Sequence, residues 1–373
     1  MRIGVPKEIK VHEYRVGLTA GSVRELVGHG HEVIVETDAG DAIGQTDRVY
    51  AAAGAEVVSG AEEVFARAEM IVKVKEPLAE ERARLRAGQV LFTYLHLAPD
   101  PDQARDLLAS GCVAIAYETV TDTRGGLPLL APMSAVAGRM SIQAGAHSLE
   151  KAQGGSGVLL SGVPGVPPGR VLIIGGGVVG ANAARIALGM GARVVVLERS
   201  LARIDELDRQ FGAPLTLRYS TTDALEAELG EADLVIGATL IPGAAAPKLV
   251  KRAHLSQMKR GSVIADVAID QGGCTETSRP TTHDEPTYVV DGIVHYCVAN
   301  MPGAVANTST FALNNATLPF VLALADKGYK RACLENLHLL AGLNVHHGRI
   351  THEAVARDLG LPYDLPEKAL KAA

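Results

Sequence analysis

What most constrains this chain is its alternation of short apolar runs with longer, polar-faced stretches. Arg2–Val5, Glu32–Glu36, Met70–Lys75, Val90–Leu95 and Val113–Glu118 read as strands, most of them rich in Val or Ile. Between them, Ala20–His29, Ala61–Ala68 and Pro101–Ala109 have helical length and charge spacing. Such alternation implies right-handed βαβ crossovers and a parallel sheet. A second series starts at Arg170: Val171–Ile174, Arg193–Leu197, Ala232–Ala238, Ser262–Val267, Tyr288–Val290 and Ile293–Tyr296. The expected class is α/β, with two Rossmann-like, doubly wound parallel-sheet domains joined by long helices. The joining helices are Met133–Gln153, with closely spaced small residues, and Thr308–Lys327, which Gly328 would terminate. About 45 residues follow Gly328, too few for a third domain, so the tail is expected to rejoin the first. The predicted domains are 1–128 plus 306–373, and 129–305.

Composition narrows the function. Apolar residues make up 47% and charged residues 21%, enough for a packed core. The formal charge of −6 offers no basic field for nucleic acid. No run approaches the roughly 18 apolar residues of a membrane span; Leu318–Ala325 is among the longest. Met1–Lys10 begins as a strand and carries no apolar export segment, which predicts a cytoplasmic protein. Cys112, Cys274, Cys297 and Cys333 lie at least 23 positions apart, the pattern of scattered reduced thiols.

The run Val171-Leu-Ile-Ile-Gly-Gly-Gly-Val-Val-Gly180 carries a specific chemistry. Gly175, Gly177 and Gly180 fill the positions of GxGxxG after an apolar strand, and a helical stretch, Ala181–Met190, follows directly. The first glycine permits a tight turn, the second lets backbone approach a pyrophosphate, and the third allows close helix–strand packing. The helix N-terminus offers its N–H groups to the anion. Glu198 ends the next strand, 18 positions past Gly180, which supplies the acidic residue the dinucleotide motif needs. Glu198 can accept both ribose hydroxyls and repel a 2′-phosphate, so NAD is expected over NADP. Arg199, immediately after, is the residue type that grips such a phosphate, and it keeps the alternative open.

A nicotinamide enzyme also needs groups for a substrate carboxylate and carbonyl, and an acid/base. Candidates stand at strand ends, where open α/β sheets bind ligands. Arg15 follows the first strand, Lys75 ends Met70–Lys75, His96 follows Val90–Leu95, and Asp270 ends Val263-Ile-Ala-Asp-Val-Ala-Ile-Asp270. Each has a structural alternative: a solvated arginine, a partly buried histidine, a capping aspartate. Lys73 and Lys75 share one strand face by period two, the pattern of an exposed edge.

These segments resemble one family closely. Gly4-Val-Pro-Lys-Glu-Ile-Lys-Val-His-Glu-Tyr-Arg-Val-Gly-Leu-Thr19 is similar to the N-terminal signature of the alanine dehydrogenases and nicotinamide nucleotide transhydrogenases. So are Val74-Lys-Glu-Pro-Leu78, Tyr94-Leu-His-Leu-Ala98 and Pro132-Met-Ser-Ala-Val-Ala-Gly138. His12, Gly17 and Ala20 stand where that pattern leads one to expect Asn, Ala and Pro. The resemblance implies that Arg15 clamps the substrate carboxylate, Lys75 binds the 2-oxo acid and polarises its carbonyl, His96 is the general acid/base, and Asp270 assists proton transfer or fixes substrate and water. Around NAD it implies Ser134, Gly175, Gly177, Val178, Val179, Gly180, Glu198, Arg203, Ser220, Thr239 and Leu240. It implies also Val267, Ala268, Ile269, Asp270, Arg279, Val298, Ala299, Asn300 and Met301.

The implied reaction is reversible oxidative deamination of L-alanine by NAD to pyruvate and ammonium, with 1–128 plus 306–373 as the substrate domain and 129–305 as the NAD domain. A dehydrogenase for a larger amino acid is one rival, which a panel of 2-oxo acids would separate, and two rivals of other kinds stand beside it. One is a transhydrogenase subunit that binds NAD(H) and passes hydride to a partner protein; the other is a non-catalytic NAD-sensing module. The joint presence of Arg15, Lys75 and His96 argues for an enzyme with an amino acid to hold. The resemblance further implies a homo-hexamer. No metal is expected, because His346, His347 and His352 lack a supporting carboxylate arrangement.

Overall fold

The computed structural model of the 373-residue chain describes residues 1–239 and 246–372. The chain forms two compact units, Met1–Met133 with Gly303 onward, and Ser134–Pro302. The first begins with β1 (Arg2–Val5), β2 (Glu32–Glu36), β3 (Glu56–Val58), β4 (Met70–Val72), β5 (Val90–Thr93) and β6 (Val113–Ala116). The second contains β7 (Arg170–Ile174), β8 (Arg193–Glu198), β9 (Leu215–Tyr219), β10 (Leu234–Gly237), β11 (Val263–Asp266), β12 (Thr287–Val290) and β13 (Ile293–Tyr296). The chain then returns to the first unit with β14 (Leu343–His346) and β15 (Arg349–Ile350).

The first sheet runs β15-β14-β6-β5-β4-β1-β2-β3. Strands β1 to β6 are mutually parallel, and β14 joins β6 antiparallel. The chain builds outward from β1 to β3, crosses to the other side of β1, and builds outward again through β4, β5 and β6. Strand order therefore reverses between β1 and β4, the position at which open α/β sheets form a ligand crevice. The second sheet, β12-β13-β11-β10-β7-β8-β9, repeats the plan, with its reversal between β7 and β10 and β12 as an antiparallel edge. Both domains are thus doubly wound and mostly parallel, as expected.

The central strands are buried on both faces: every residue of β4, β5, β6, β10 and β11 is buried. Continuous apolar runs, not alternating ones, are what such strands require. Phe65, Leu91, Leu107 and Val345 pack in one core cluster of the first unit; Val195, Leu229 and Ile264 pack in one of the second. Caps fix the helix starts. Thr19 accepts from Ser22 N–H before Ala20–Gly28, and Asp100 accepts from Gln103 N–H before Pro101–Ser110.

Several strands stop earlier than the sequence suggests. Residues 73–75, 94–95, 117–118 and 267–270 all lie beyond their strands; side-chain carboxylates take over the N–H groups of Val74, Lys75, Leu95 and Ala268, as described below, and Tyr117–Thr119 turns into a 3₁₀ helix. The glycine-loop helix is Val178–Gly189, starting three residues earlier than expected. The first joining helix is Ala131–Ser148, with a separate 3₁₀ turn at Lys151–Gln153; the second is Ala306–Lys327, ending at Gly328 with φ +72°. Ala20 opens the first helix, where the sequence places its start. All four cysteines are buried free thiols. Among the described residues, no helix is long and apolar enough to cross a membrane.

Candidate active site

Arg15, Lys75 and His96 follow β1, β4 and β5, three neighbouring strands that flank the reversal of the first sheet. Arg15 is 2% exposed. Its Nε and Nη2 donate to the two carboxylate oxygens of Glu13 at 2.6 and 2.5 Å, and Nη1 points at Met133 Sδ, 3.0 Å away. Burial alone would lower the guanidinium's proton affinity, but Glu13 outweighs it and keeps Arg15 charged. Gly17 lets this loop lie against the end of β4, since a Cβ there would stand 2.3 Å from Val72 O.

Lys75 is half-buried, and its backbone is held from both sides. Thr93 Oγ1 donates to Lys75 O at 2.9 Å, while Glu8 accepts from Val74 N–H at 2.6 Å and more loosely from Lys75 N–H. Beside it, the Glu76 carboxylate would be raised by burial, but Lys75 and Lys10 hold it below the usual range. Lys73 corrects the exposed-edge reading. It is 0% exposed, with Nζ 3.0 Å from Glu8 and 2.6 Å from Glu81. Period two cannot distinguish a solvated lysine from one satisfied by buried carboxylates brought from elsewhere in the chain.

His96 adopts φ +48°, a left-handed conformation that costs a non-glycine residue about 1–3 kcal/mol. Glu118 sustains it: the carboxylate accepts from His96 N–H at 2.6 Å and from Leu95 N–H at 3.2 Å, and lies 3.9 Å from His96 Nδ1. Tyr94 stacks its ring on the imidazole, 5.8 Å between centroids and 3° apart in tilt, and its hydroxyl donates to Leu129 O at 2.6 Å. Burial holds that phenol protonated, against the opposing influence of Arg15. Arg15, Tyr94, His96 and Glu118 thus form one electrostatically connected group, with the Lys75 loop hydrogen-bonded alongside. Glu13, Tyr94, Glu118 and Met133 were not singled out by sequence reasoning. Glu13, Tyr94 and Met133 sit inside the family-like segments, but no spacing rule marks them or Glu118.

In the second unit the glycine loop follows β7 at the other reversal. Gly175 has φ +103°, and a Cβ on Gly180 would stand 1.9 Å from Gly175 O, so both positions demand glycine. A Cβ on Gly177 would meet nothing within 4 Å: the space in front of the helix N-terminus is open. Gly177 caps that helix with no side chain, leaving Val178 and Val179 to present backbone N–H groups. Glu198 accepts from the N–H groups of Gly176, Arg199 and Ser200 at 2.7–2.8 Å, and Arg203 Nε donates to Gly176 O at 2.7 Å. These residues fit a dinucleotide: an open cradle, helix donors and a side-chain acceptor, Glu198, at the next strand end.

The remaining candidates of this unit divide. Ser220 directly follows β9, its N–H bonded to Glu198 O; Thr239 follows β10; Leu240 lies outside the described residues. Val267, Ala268, Ile269 and Asp270 form a 3₁₀ turn after β11, so Asp270 is an exposed turn residue four positions past its strand, not the strand's end. That turn is organised by buried Asp266, which accepts from Ala268, Cys274 and Thr275 N–H and from Ser278 Oγ. Val298 and Met301 are buried, Ala299 and Asn300 half-buried, with Asn300 at φ +67°. Arg279 is exposed and stacks on Tyr288, 4.1 Å from the ring centre. Ser134 lies on the first turns of Ala131–Ser148.

Comparison with known proteins adds an independent line. The profile described as alanine dehydrogenase/PNT, N-terminal domain, matches residues 4–137, and that of the C-terminal domain matches 141–353. An alanine dehydrogenase of Halomonas elongata is 63% identical over 97% of this chain and 98% of its own length. That of Bacillus subtilis is 55% identical over 100% and 98%. A solved L-alanine dehydrogenase superposes with a TM-score of 0.93 at 52% identity, covering 96% of this chain and 99% of that one. A transhydrogenase from Sinorhizobium meliloti shares the fold, with a TM-score of 0.80 at 24% identity over 95% and 100%.

Proposed function

Because this chain belongs to the alanine dehydrogenase/PNT family, we propose that it is an amino-acid dehydrogenase interconverting L-alanine with pyruvate and ammonium, with NAD as its nicotinamide cofactor. The observation that carries the reading is the set Arg15, Lys75 and His96 in the segments that follow three adjacent strands, β1, β4 and β5, at the reversal of one sheet. Relatives named alanine dehydrogenase at 52–63% identity favour this over the transhydrogenase alternative, whose structural relative at 24% supports the fold alone.

In this proposal the first unit holds the substrate and the second holds the cofactor. Arg15 binds the carboxylate through the guanidinium edge that faces Met133, while Glu13 keeps the other edge fixed. Lys75 polarises the 2-oxo group so that ammonia adds to it. His96 moves the protons of carbinolamine and imine, its orientation held by Tyr94 and Glu118. A nicotinamide dinucleotide held by the glycine loop and Glu198 would supply the hydride chemistry of the reaction. Glu198 accepts from the ribose hydroxyls, and the N–H groups of Val178 and Val179 receive the pyrophosphate. For Asp270 the family resemblance suggests help with proton transfer. The same resemblance suggests a homo-hexamer.

Mixing the protein with NADH, ammonium and pyruvate tests the proposal: nicotinamide absorbance falls, and omitting either pyruvate or ammonium stops it. No loss of absorbance in the full mixture refutes the dehydrogenase reading, and a lower Michaelis constant for NADPH than for NADH refutes the cofactor choice.

A further inference from the structure

We infer that Glu8, Lys73 and Glu81 form a buried clasp that sets the position of the Lys75 loop, making them positioning residues for 2-oxo acid binding. The inference rests on the reading of Lys75 as a substrate-binding residue and deepens it.

The clasp begins where β4 stops. Beyond Val72 the chain keeps contact with β5 on one side, through Lys73 N–H to Phe92 O and Tyr94 N–H to Val74 O, both 3.2 Å. On the other side β1 has ended, since its last partner in β4 is Ile71. The N–H groups of Val74 and Lys75 therefore need another acceptor, and the Oε1 atom of Glu8, three residues past β1, supplies it at 2.6 and 3.4 Å. A side chain here continues the sheet's bonding after the neighbouring main chain has turned away.

The far end of the loop is held in the same manner. Glu81 Oε2 accepts from Leu78 N–H at 2.8 Å, at the start of the short helix Ala79–Arg82. Lys73 joins the two anchors, with its ammonium between Glu8 Oε2 at 3.0 Å and Glu81 Oε1 at 2.6 Å. Side chains of Lys73, Glu8 and Glu81 are 0%, 2% and 2% exposed, so no water competes for these pairs. One buried cation thus ties both ends of the six-residue segment Lys73–Leu78, and Lys75 stands in its middle.

Burial is costly for each of these charges, and the directions of their titration follow. Desolvation would strip Lys73 of its proton, yet the two carboxylates keep it charged. Glu8 is pushed up by burial, with Lys73 opposing. An apolar triad of similar volume would serve stability as well or better, because buried ion pairs seldom outweigh their desolvation. What an apolar replacement cannot do is accept the N–H groups of Val74, Lys75 and Leu78. The carboxylate oxygens are therefore explained by loop placement, and the charges by the tie that Lys73 makes between the two anchors.

Two variants separate placement from simple stability. The first is Glu8→Gln; the second is the isosteric triple Glu8→Gln, Lys73→Met, Glu81→Gln, which removes all three charges at once and leaves no unpaired ion if the single variant fails to fold. In whichever folds, the inference predicts a pyruvate KM raised at least tenfold, a smaller fall in kcat, and an NADH Kd within twofold of the parent. A folded variant whose pyruvate KM stays within twofold, whatever its melting temperature, overturns the clasp. Lys75→Ala runs beside them. If it leaves pyruvate KM and kcat unchanged, the underlying reading of Lys75 fails; if it raises KM while the clasp variants do not, only the clasp fails.

Discussion

The two units share one strand order and solve opposite recognition problems with it. In both, the chain builds outward from a first strand, crosses over, and builds outward again, so each sheet has one reversal. At the second unit's reversal stand Gly175, Gly177 and Gly180, and binding capacity lies in main-chain N–H groups facing open space. At the first unit's reversal stand Arg15, Lys75 and His96, so capacity lies in side chains. A backbone site has to be cleared of side chains, whereas a side-chain site has to have its loops held still. The first unit meets the latter need with carboxylates: Glu13 on Arg15, Glu8 on the Lys75 loop, Glu118 on His96. Topology therefore fixes where a ligand sits, and loop chemistry decides which ligand.

The largest effect that tests this contrast is expected from His96→Ala. It should lower kcat about a thousandfold, the scale of a lost general acid/base, while NADH affinity measured by fluorescence stays within twofold. Retained turnover would remove His96 from the mechanism. Next is Gly180→Ala, which forces a Cβ to 1.9 Å from Gly175 O. It should destabilise the second unit by about 2 kcal/mol and weaken NADH binding at least tenfold; unchanged binding would mean that the glycine loop does not hold the dinucleotide. A smaller loss is expected from Glu118→Gln, roughly tenfold in kcat with pyruvate KM little changed. Full activity there would reduce Glu118 to a structural role.

The smallest effect concerns acid stability. Burial, aided by the charges of His347, Lys330 and Arg349, lowers His346 in β14 to about 4. Its neutral form is therefore favoured in the folded state. The stabilisation is full above the ordinary histidine value of 6.5 and declines as pH falls from there towards 4. His346→Gln should flatten the drop in urea midpoint between pH 7 and pH 4.5; an unaltered drop would assign the acid sensitivity elsewhere.

Much of this architecture is legible in the sequence, for physical reasons that also mark where legibility ends. Buried parallel strands announce themselves as continuous apolar runs, and the glycine loop by a spacing that only glycine satisfies. Strand β3 has only three residues, and β9 mixes Thr and Arg with Leu, so neither run stands out. Arg15, Lys75 and His96 stand out as candidates because polar residues beyond strand ends break an apolar pattern and sit in family-like segments. Their supporting carboxylates Glu8 and Glu13 lie in a family-like segment too, but nothing in the local pattern marks what they hold. Glu8 meets Lys73 from 65 positions away, and Asp266 reads as one more strand residue until its bonds to the following turn are seen. Lys73 shows the sharpest failure, because alternation reports which face a residue occupies, not whether that face is wet.

The division of labour between the two units is tested most directly by titrating NADH, by fluorescence, into Arg15→Ala. The account predicts an NADH Kd within twofold of the parent, together with a pyruvate KM raised about a hundredfold in the same preparation. A variant that loses NADH binding in step with pyruvate binding would contradict it.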